Sequence, residues 1–191
     1  MSALTFLKNF LSHPTQVGAI APSSDALAEE MVRWIEWPHV SACVEYGPGT
    51  GVFTAAIQRK LMAGARFFAI ERSADLAALT RARCPGVTVY EDSVANVEAL
   101  CQREAITQID AIVCGLPWAS FREELQSACL DATLRAMRPG AQFVTFAYWQ
   151  GLLLPAGQRF RRRLQQSFAH VETSTTVWRN LPPAFVYRCR K

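Results

Sequence analysis

Three glycines at alternate positions, in Val44-Glu45-Tyr46-Gly47-Pro48-Gly49-Thr50-Gly51, follow a short apolar run and precede a helical pattern. Such a segment turns a strand sharply into a helix on a backbone nearly free of side chains. Gly tolerates positive φ and has no Cβ, so the main chain at Gly47, Gly49 and Gly51 can approach a bound ligand closely. A second signal is Glu71, twenty positions after Gly51 at the end of another apolar run. A carboxylate in that place can accept hydrogen bonds from both hydroxyls of a ribose.

The rest of the chain repeats this strand-and-helix rhythm. Strand-like runs at 42–46, 66–70, 87–90, 109–114 and 142–148 alternate with helical patterns at 52–61, 74–83, 94–104, 122–137 and 155–167. Alternation of this kind predicts parallel βαβ units and hence a doubly wound α/β sheet. The last helix carries Phe160, Leu164 and Phe168 at four-residue spacing, with arginines on its other sides. After it, runs at 170–178 and 184–190 are separated by a short turn containing Pro182-Pro183, which predicts an antiparallel hairpin. Ahead of the first strand lie a short amphipathic helix at 4–11 and a longer one at 24–35, with Leu27, Met31, Val32 and Ile35 on one face. With 191 residues, half of them apolar, the chain supports one well-buried domain, residues 1–38 forming a helical segment and 39–191 the sheet core.

Charge and cysteine usage narrow the function classes. A formal charge of +4 is well short of a typical nucleic-acid module, and part of it is local, in Arg159, Arg161, Arg162 and Arg163. That cluster suits an anionic membrane as well as RNA. Six cysteines without a CxxC pair suggest neither a metal site nor a disulfide framework, and reduced core thiols are expected. One lysine precedes His13 and no small-residue cleavage site follows the apolar stretch at 4–11, so cytoplasmic residence is expected. No run approaches the ~20 apolar residues of a spanning helix, so any membrane contact is expected to be peripheral.

Two ligands compete for the glycine loop. Dinucleotide sites use GxGxxG, whereas this chain has GxGxG followed by Val52, with the acidic Glu45 just ahead of Gly47. S-adenosylmethionine has no phosphate but carries an ammonium and a sulfonium, so a carboxylate at Glu45 is an asset rather than a repulsion. A third acidic position, in Glu91-Asp92-Ser93 at the end of the third strand, can bind the adenine amino group and ring nitrogen. The cofactor-binding set expected on these grounds is Glu45, Gly47, Gly49, Thr50, Gly51, Glu71, Asp92 and Ser93, with Cys114 at the end of the fourth strand. Ser23 and Ser24 join it, since they can cap the following helix, whose free amides attract a carboxylate. An ordinary tight βα turn is the competing reading of the loop taken alone.

The acidic-GxGxG loop, the acidic ends of strands two and three and the terminal hairpin together resemble the class I S-adenosylmethionine-dependent methyltransferases. That resemblance covers nearly the whole chain. It implies a Rossmann-like sheet of seven mostly parallel strands, the seventh antiparallel and inserted between the fifth and sixth, with short N-terminal helices. S-adenosylmethionine is then the cofactor and S-adenosylhomocysteine the product.

For the methyl acceptor, the fourth strand ends in Cys114-Gly115-Leu116-Pro117-Trp118, at the edge where an open α/β sheet places its reactive groups. Methyl transfer to an amine needs a neutral nucleophile held by acceptors and shielded from water. A carbonyl at Gly115 can hold it, Leu116 and Pro117 belong to the same candidate loop, Trp118 can attract an ammonium through its ring face, and Tyr148 can line the pocket. Loop packing is the competing role for Pro117 and Trp118. No residue, His13, His39 and His170 included, stands out as an obligatory general base.

The segment 6–24, with its Pro22-Ser23-Ser24, together with Gly115-Leu116-Pro117 and Asn180-Leu181-Pro182-Pro183-Ala184, resembles the bacterial phospholipid N-methyltransferases of the short, soluble type. The resemblance implies successive methylation of phosphatidylethanolamine by an enzyme docking on the inner membrane through its N-terminal helix, with the Arg159–Arg163 region attracting anionic head groups. Here that helix is very short, with Lys8 its only fixed cation. Three rivals remain. An RNA adenine methyltransferase resembling the rRNA dimethylases would carry Asn where Gly115 stands and an extra RNA-binding domain. A small-molecule amine methyltransferase is another, and a non-catalytic lipid-binding protein would not need intact glycine and acidic anchors.

Overall fold

A computed structural model describes residues 23–191, so the helix expected at 4–11 and most of the loop before Ser23 lie outside the described residues. Seven strands form one sheet: β1 (Ala42–Tyr46), β2 (Arg66–Glu71), β3 (Thr88–Glu91), β4 (Ile109–Cys114), β5 (Met137–Tyr148), β6 (His170–Thr173) and β7 (Ala184–Arg190). Their order is β3-β2-β1-β4-β5-β7-β6. β1 to β5 pair in parallel, and β7 runs antiparallel to both of its neighbours. This is the Rossmann-like arrangement expected of a class I methyltransferase, with the inverted strand between the fifth and sixth.

Among the described residues six α-helices cover the two faces: α1 (Asp25–Arg33), α2 (Val52–Lys60), α3 (Ala74–Arg83), α4 (Val97–Arg103), α5 (Glu123–Ala136) and α6 (Pro155–Ser167). Strand side chains alternate between faces, so Val44, Phe68, Ile112 and Phe143 pack under α4, α5 and α6, while Cys43, Val113, Val144 and Val186 pack under α1 and α2. Ala69 carries α3 on that second face through Ala77 and Val89. α1 forms because Ser24 caps it, its Oγ accepting from the Leu27 amide at 3.2 Å. Leu27, Ala28, Met31 and Val32 then make one buried stripe against the sheet. All six cysteines are buried and unpaired, as reduced core thiols.

Two strand boundaries depart from the sequence reading. β5 starts at Met137 rather than 142, because Met137 pairs with Ile109 across a register shift before Ala111 meets Gln142. β6 ends at Thr173 rather than 178. As an edge strand it has β7 alone to pair with, and beyond Ser174 the chain keeps a single bridge, Val177 to Ala184. Among the described residues no helix is long and apolar enough to cross a membrane.

The strand order reverses between β1 and β4, and in an open α/β sheet the crevice at the carboxyl ends of such strands is where ligands bind. Gly47 leaves β1 at that point and Gly115 leaves β4. The amide of Gly115 donates to the Tyr46 carbonyl at 2.7 Å, joining the two turns.

Candidate functional site

The glycine loop is built as its spacing predicts. Gly47, Gly49 and Gly51 have φ of +63°, +59° and +77°, a left-handed backbone that side chains disfavour. Their surroundings differ. A Cβ on Gly47 would meet Leu116 Cδ2 at 2.8 Å, whereas one on Gly49 would meet nothing within 4 Å. Gly47 is therefore an internal packing point, and Gly49 opens onto the space a ligand would occupy. Thr50 beside it is half-buried. Gly51 leads into α2, which has no side-chain cap and no acidic residue in its first turn. Unshielded amides there favour an anionic group such as a carboxylate.

Glu45 sits beneath this loop on the α2 side of the sheet. It is 0% exposed, and neither carboxylate oxygen has a hydrogen-bond partner. Burial pushes its carboxyl up to about 8. Thr54 stands beside it outside hydrogen-bonding geometry and offsets part of that rise, while the charge of Glu71 adds to it. A buried carboxylate without partners is costly, and an incoming cation relieves that cost. This orphaned pair of oxygens fits the ammonium of S-adenosylmethionine.

Glu71, at the end of β2, is buried and already engaged with the loop: Oε2 accepts from the Gly49 amide at 3.2 Å and Oε1 from the Ser73 amide at 3.0 Å. Its remaining lone pairs can still serve ribose hydroxyls. Asp92, at the end of β3, accepts from the Asn96 side chain at 2.7 Å and the Ser93 amide at 2.6 Å. Asn96 first, then Ser93, holds its carboxyl below the usual range. It is thus an ionised acceptor suited to an amino group. Ser93 itself caps the turn that follows, its Oγ accepting from the Ala95 amide at 3.3 Å.

On the acceptor side, the Gly115 carbonyl receives no backbone donor among the described residues, while those of Leu116 and Pro117 accept from Trp118 and Ser120. Gly115 also lies against the loop, since a Cβ there would stand 2.6 Å from the Gly47 carbonyl oxygen. Trp118 is placed differently from the ring-face role expected of it. It is 2% exposed, stacked on Phe160 with centroids 5.3 Å apart, and its Nε1 donates to Cys114 Sγ at 3.2 Å. Its ring lies in the core beneath α6, the apolar partner having outcompeted a ligand for that face. Cys114 is drawn inward with it, a buried thiol pushed up to about 12 by desolvation. Tyr148 lies on the opposite face, half-buried and edge-on to Phe146 at 5.5 Å. Trp118 and Tyr148 therefore do not form one aromatic box.

Ser24 is engaged by the fold, its Oγ accepting from the Leu27 amide and its own amide donating to Asn180 Oδ1 at 3.0 Å. Ser23 is half-buried beside it. Asn180 is 3% exposed and also donates to the Pro182 carbonyl at 2.7 Å, so it ties the start of the described chain to the β6–β7 connection. Thr80 in α3 is a residue the sequence did not single out: its hydroxyl donates to the Gly49 carbonyl at 2.9 Å. Nothing local marks Thr80, whereas Asn180 belongs to the quoted Asn-Leu-Pro-Pro run.

No family model matches the chain. Among curated proteins, an ornithine lipid N-methyltransferase of Singulisphaera acidiphila is 35% identical over 190 residues, spanning 97% of this chain and 94% of that protein. Among solved structures, the O-methyltransferase from Bacillus cereus in complex with SAH superposes with a TM-score of 0.67 at 15% identity, over 98% of this chain and 91% of that one. The N-methyltransferase NodS from Bradyrhizobium japonicum does so with a TM-score of 0.61 at 14% identity, over 87% and 92%. Those two likenesses carry the fold.

Proposed function

The chain belongs to the class I S-adenosylmethionine-dependent methyltransferases, in the family of that ornithine lipid N-methyltransferase, and we propose that it methylates the amine of a lipid head group. It is an enzyme whose methyl donor is S-adenosylmethionine. The observation that carries the lipid reading is the 35% identity extending over 97% of the chain.

The cofactor supplies an electrophilic methyl on a sulfonium sulfur. Glu45 offers the buried negative charge for its ammonium, Glu71 and Asp92 take the ribose and the adenine amino group, and the bare backbone at Gly49 lets the ligand come close. The Gly115 carbonyl holds an N–H of the acceptor amine so that the nitrogen lone pair faces the methyl. Leu116, Pro117 and Trp118 keep that carbonyl in place, Trp118 through its packing, and Tyr148 lines the far side. Nitrogen must arrive neutral, since a protonated amine has no lone pair. The head-group ammonium therefore gives up one proton to solvent before attack, and the methylated ammonium formed by transfer gives up another before any further round.

Phosphatidylethanolamine and ornithine lipids both present a primary amine, and phosphatidylethanolamine is the substrate we test first. Acting on either puts the enzyme peripherally at the inner face of the cell membrane, with the segment at 4–11 and the Arg159–Arg163 region as contacts. The test is labelled S-adenosylmethionine with detergent-dispersed phosphatidylethanolamine, ornithine lipid, or phosphatidylglycerol alone. Label in the lipid fraction of an amine-bearing sample is expected. Label in none of them, with transfer instead to RNA or a soluble amine, overturns the reading.

A further inference from the structure

We propose that the turn after β5 and the β6–β7 connection together form a lipid-docking face, which lies on the interface of an anionic bilayer and brings the acceptor crevice against it. The proposal rests on the lipid-amine reading above and adds an apolar rim to the membrane contacts that reading names.

Six large apolar side chains are exposed among the described residues, and five of them, Trp149, Leu153, Leu154, Trp178 and Leu181, belong to these two segments. Trp178 is 75% exposed, Leu153 74% and Leu181 82%. The sixth, Met62, follows α2 at the opposite edge of the sheet. Burial drives folding, so side chains this apolar gathered on one rim mark a contact surface rather than leftover exposure.

The two segments are one surface. Trp149 bonds the connection twice, its amide donating to the Pro183 carbonyl at 3.0 Å and its Nε1 to Thr176 Oγ1 at 2.9 Å. The last residue of β5, Tyr148, pairs with the first of β7, Ala184, so both segments rise from the carboxyl edge of the sheet. The Gly47–Gly115 junction opens at that same edge.

Charge selects the occupant. α6 begins at Pro155, directly after Leu154, and carries four arginines and no acidic residue. Arg159 is paired with Glu123 at 3.5 Å and Arg163 with Gln126 and Ser127, but Arg161, Arg162 and Arg179 are exposed and make no ion pair among the described residues. Arg179 stands between Trp178 and Asn180, within the apolar rim itself. Tryptophan and leucine flanked by unpaired arginines match the boundary between acyl chains and anionic head groups.

The test is cosedimentation of the full chain with vesicles of phosphatidylcholine, with and without phosphatidylglycerol, none carrying a primary amine. Binding is expected to the anionic vesicles, and Trp178→Ser with Leu181→Ser is expected to reduce it by roughly tenfold or more. Unchanged affinity for S-adenosylhomocysteine in that variant shows that the fold is intact. Arg161→Ser with Arg162→Ser and Arg179→Ser should abolish the preference for phosphatidylglycerol. Equal vesicle binding by wild type and the apolar variant overturns the proposal. So does a concentration-dependent dimer that this variant alone abolishes, or shielding of Trp178 from iodide without vesicles, judged against Trp178→Phe. Methyl transfer in detergent is scored separately: its failure removes the lipid-amine reading, whereas amine-free vesicles test the docking face by itself.

Discussion

Glu71 Oε2 accepts the Gly49 amide at 3.2 Å, so the carboxylate assigned to the ribose also sutures the glycine loop to the end of β2. Thr80 holds the next peptide unit, donating to the carbonyl of the same Gly49. Glu71→Ala should therefore both loosen the loop and remove a ligand contact. We expect calorimetry with S-adenosylhomocysteine to show about ten- to hundredfold weaker binding, the loss of one or two charge-assisted hydrogen bonds. Thr80→Val should lower thermal stability by about 1 kcal/mol and affinity less. Wild-type affinity in Glu71→Ala would remove it from the site.

Glu45 predicts a pH dependence of the cofactor-free protein. Its carboxyl stands near 4.5 when unfolded and about 8 when folded. Between those values the folded chain keeps a proton that the unfolded chain has released, so stability falls as pH rises through this window and levels off above it. The expected fall is on the order of a few kcal/mol, read from urea midpoints. Glu45→Gln should flatten the profile while weakening S-adenosylhomocysteine binding. Wild-type binding near neutral pH should release a proton, which calorimetry in buffers of different ionisation enthalpy detects; the absence of release places the ligand ammonium elsewhere.

The two tight glycines and the open one separate stability from binding. Gly115→Ala drives a Cβ to 2.6 Å from the Gly47 carbonyl oxygen, so the two turns must part. A loss of about 1–3 kcal/mol in unfolding free energy is expected. Gly49→Ala meets no atom, yet it puts a methyl into the ligand space at φ +59°. It should cost only ~1–2 kcal/mol of backbone strain but weaken cofactor binding disproportionately. Equal effects of both changes on affinity would contradict this division.

Trp118 is a packing residue by its surroundings, and its variants test that. Trp118→Ala should cost about 3–5 kcal/mol, since the indole fills the space between Phe160 and Phe143. Trp118→Phe should keep most of the stability and leave KM for the lipid nearly unchanged. A large rise in KM at unaltered thermal stability would return the ring to the substrate.

Much of this was legible from local pattern. Strand and helix periods follow from side-chain alternation, and the glycine loop follows from φ values that only a few residue types adopt; neither needs distant partners. Glu45, Glu71 and Asp92 stand out in the sequence because each lies at or beside the end of a strand-like run, and the end of a parallel strand is a fixed place in such a sheet. Boundaries were lost where pairing decides them. β5 extends back to Met137 because Ile109 is there to receive it, and β6 stops early because it has one neighbour.

What the sequence by itself determined is therefore the fold, the glycine turn after β1 and the placing of acids at neighbouring strand ends, all set by local conformational preference and by spacing along single elements. Only the tertiary structure decided which polar atoms are occupied and which apolar ones are left bare. Thr80 reaches Gly49 across 31 positions and Asn180 reaches Ser24 across 156. Trp118 turns into the core while Trp178 stays out, although both follow strand-like runs in loops. An indole is buried or exposed according to whether another element covers it: α6 lies over Trp118, and among the described residues nothing lies over Trp178.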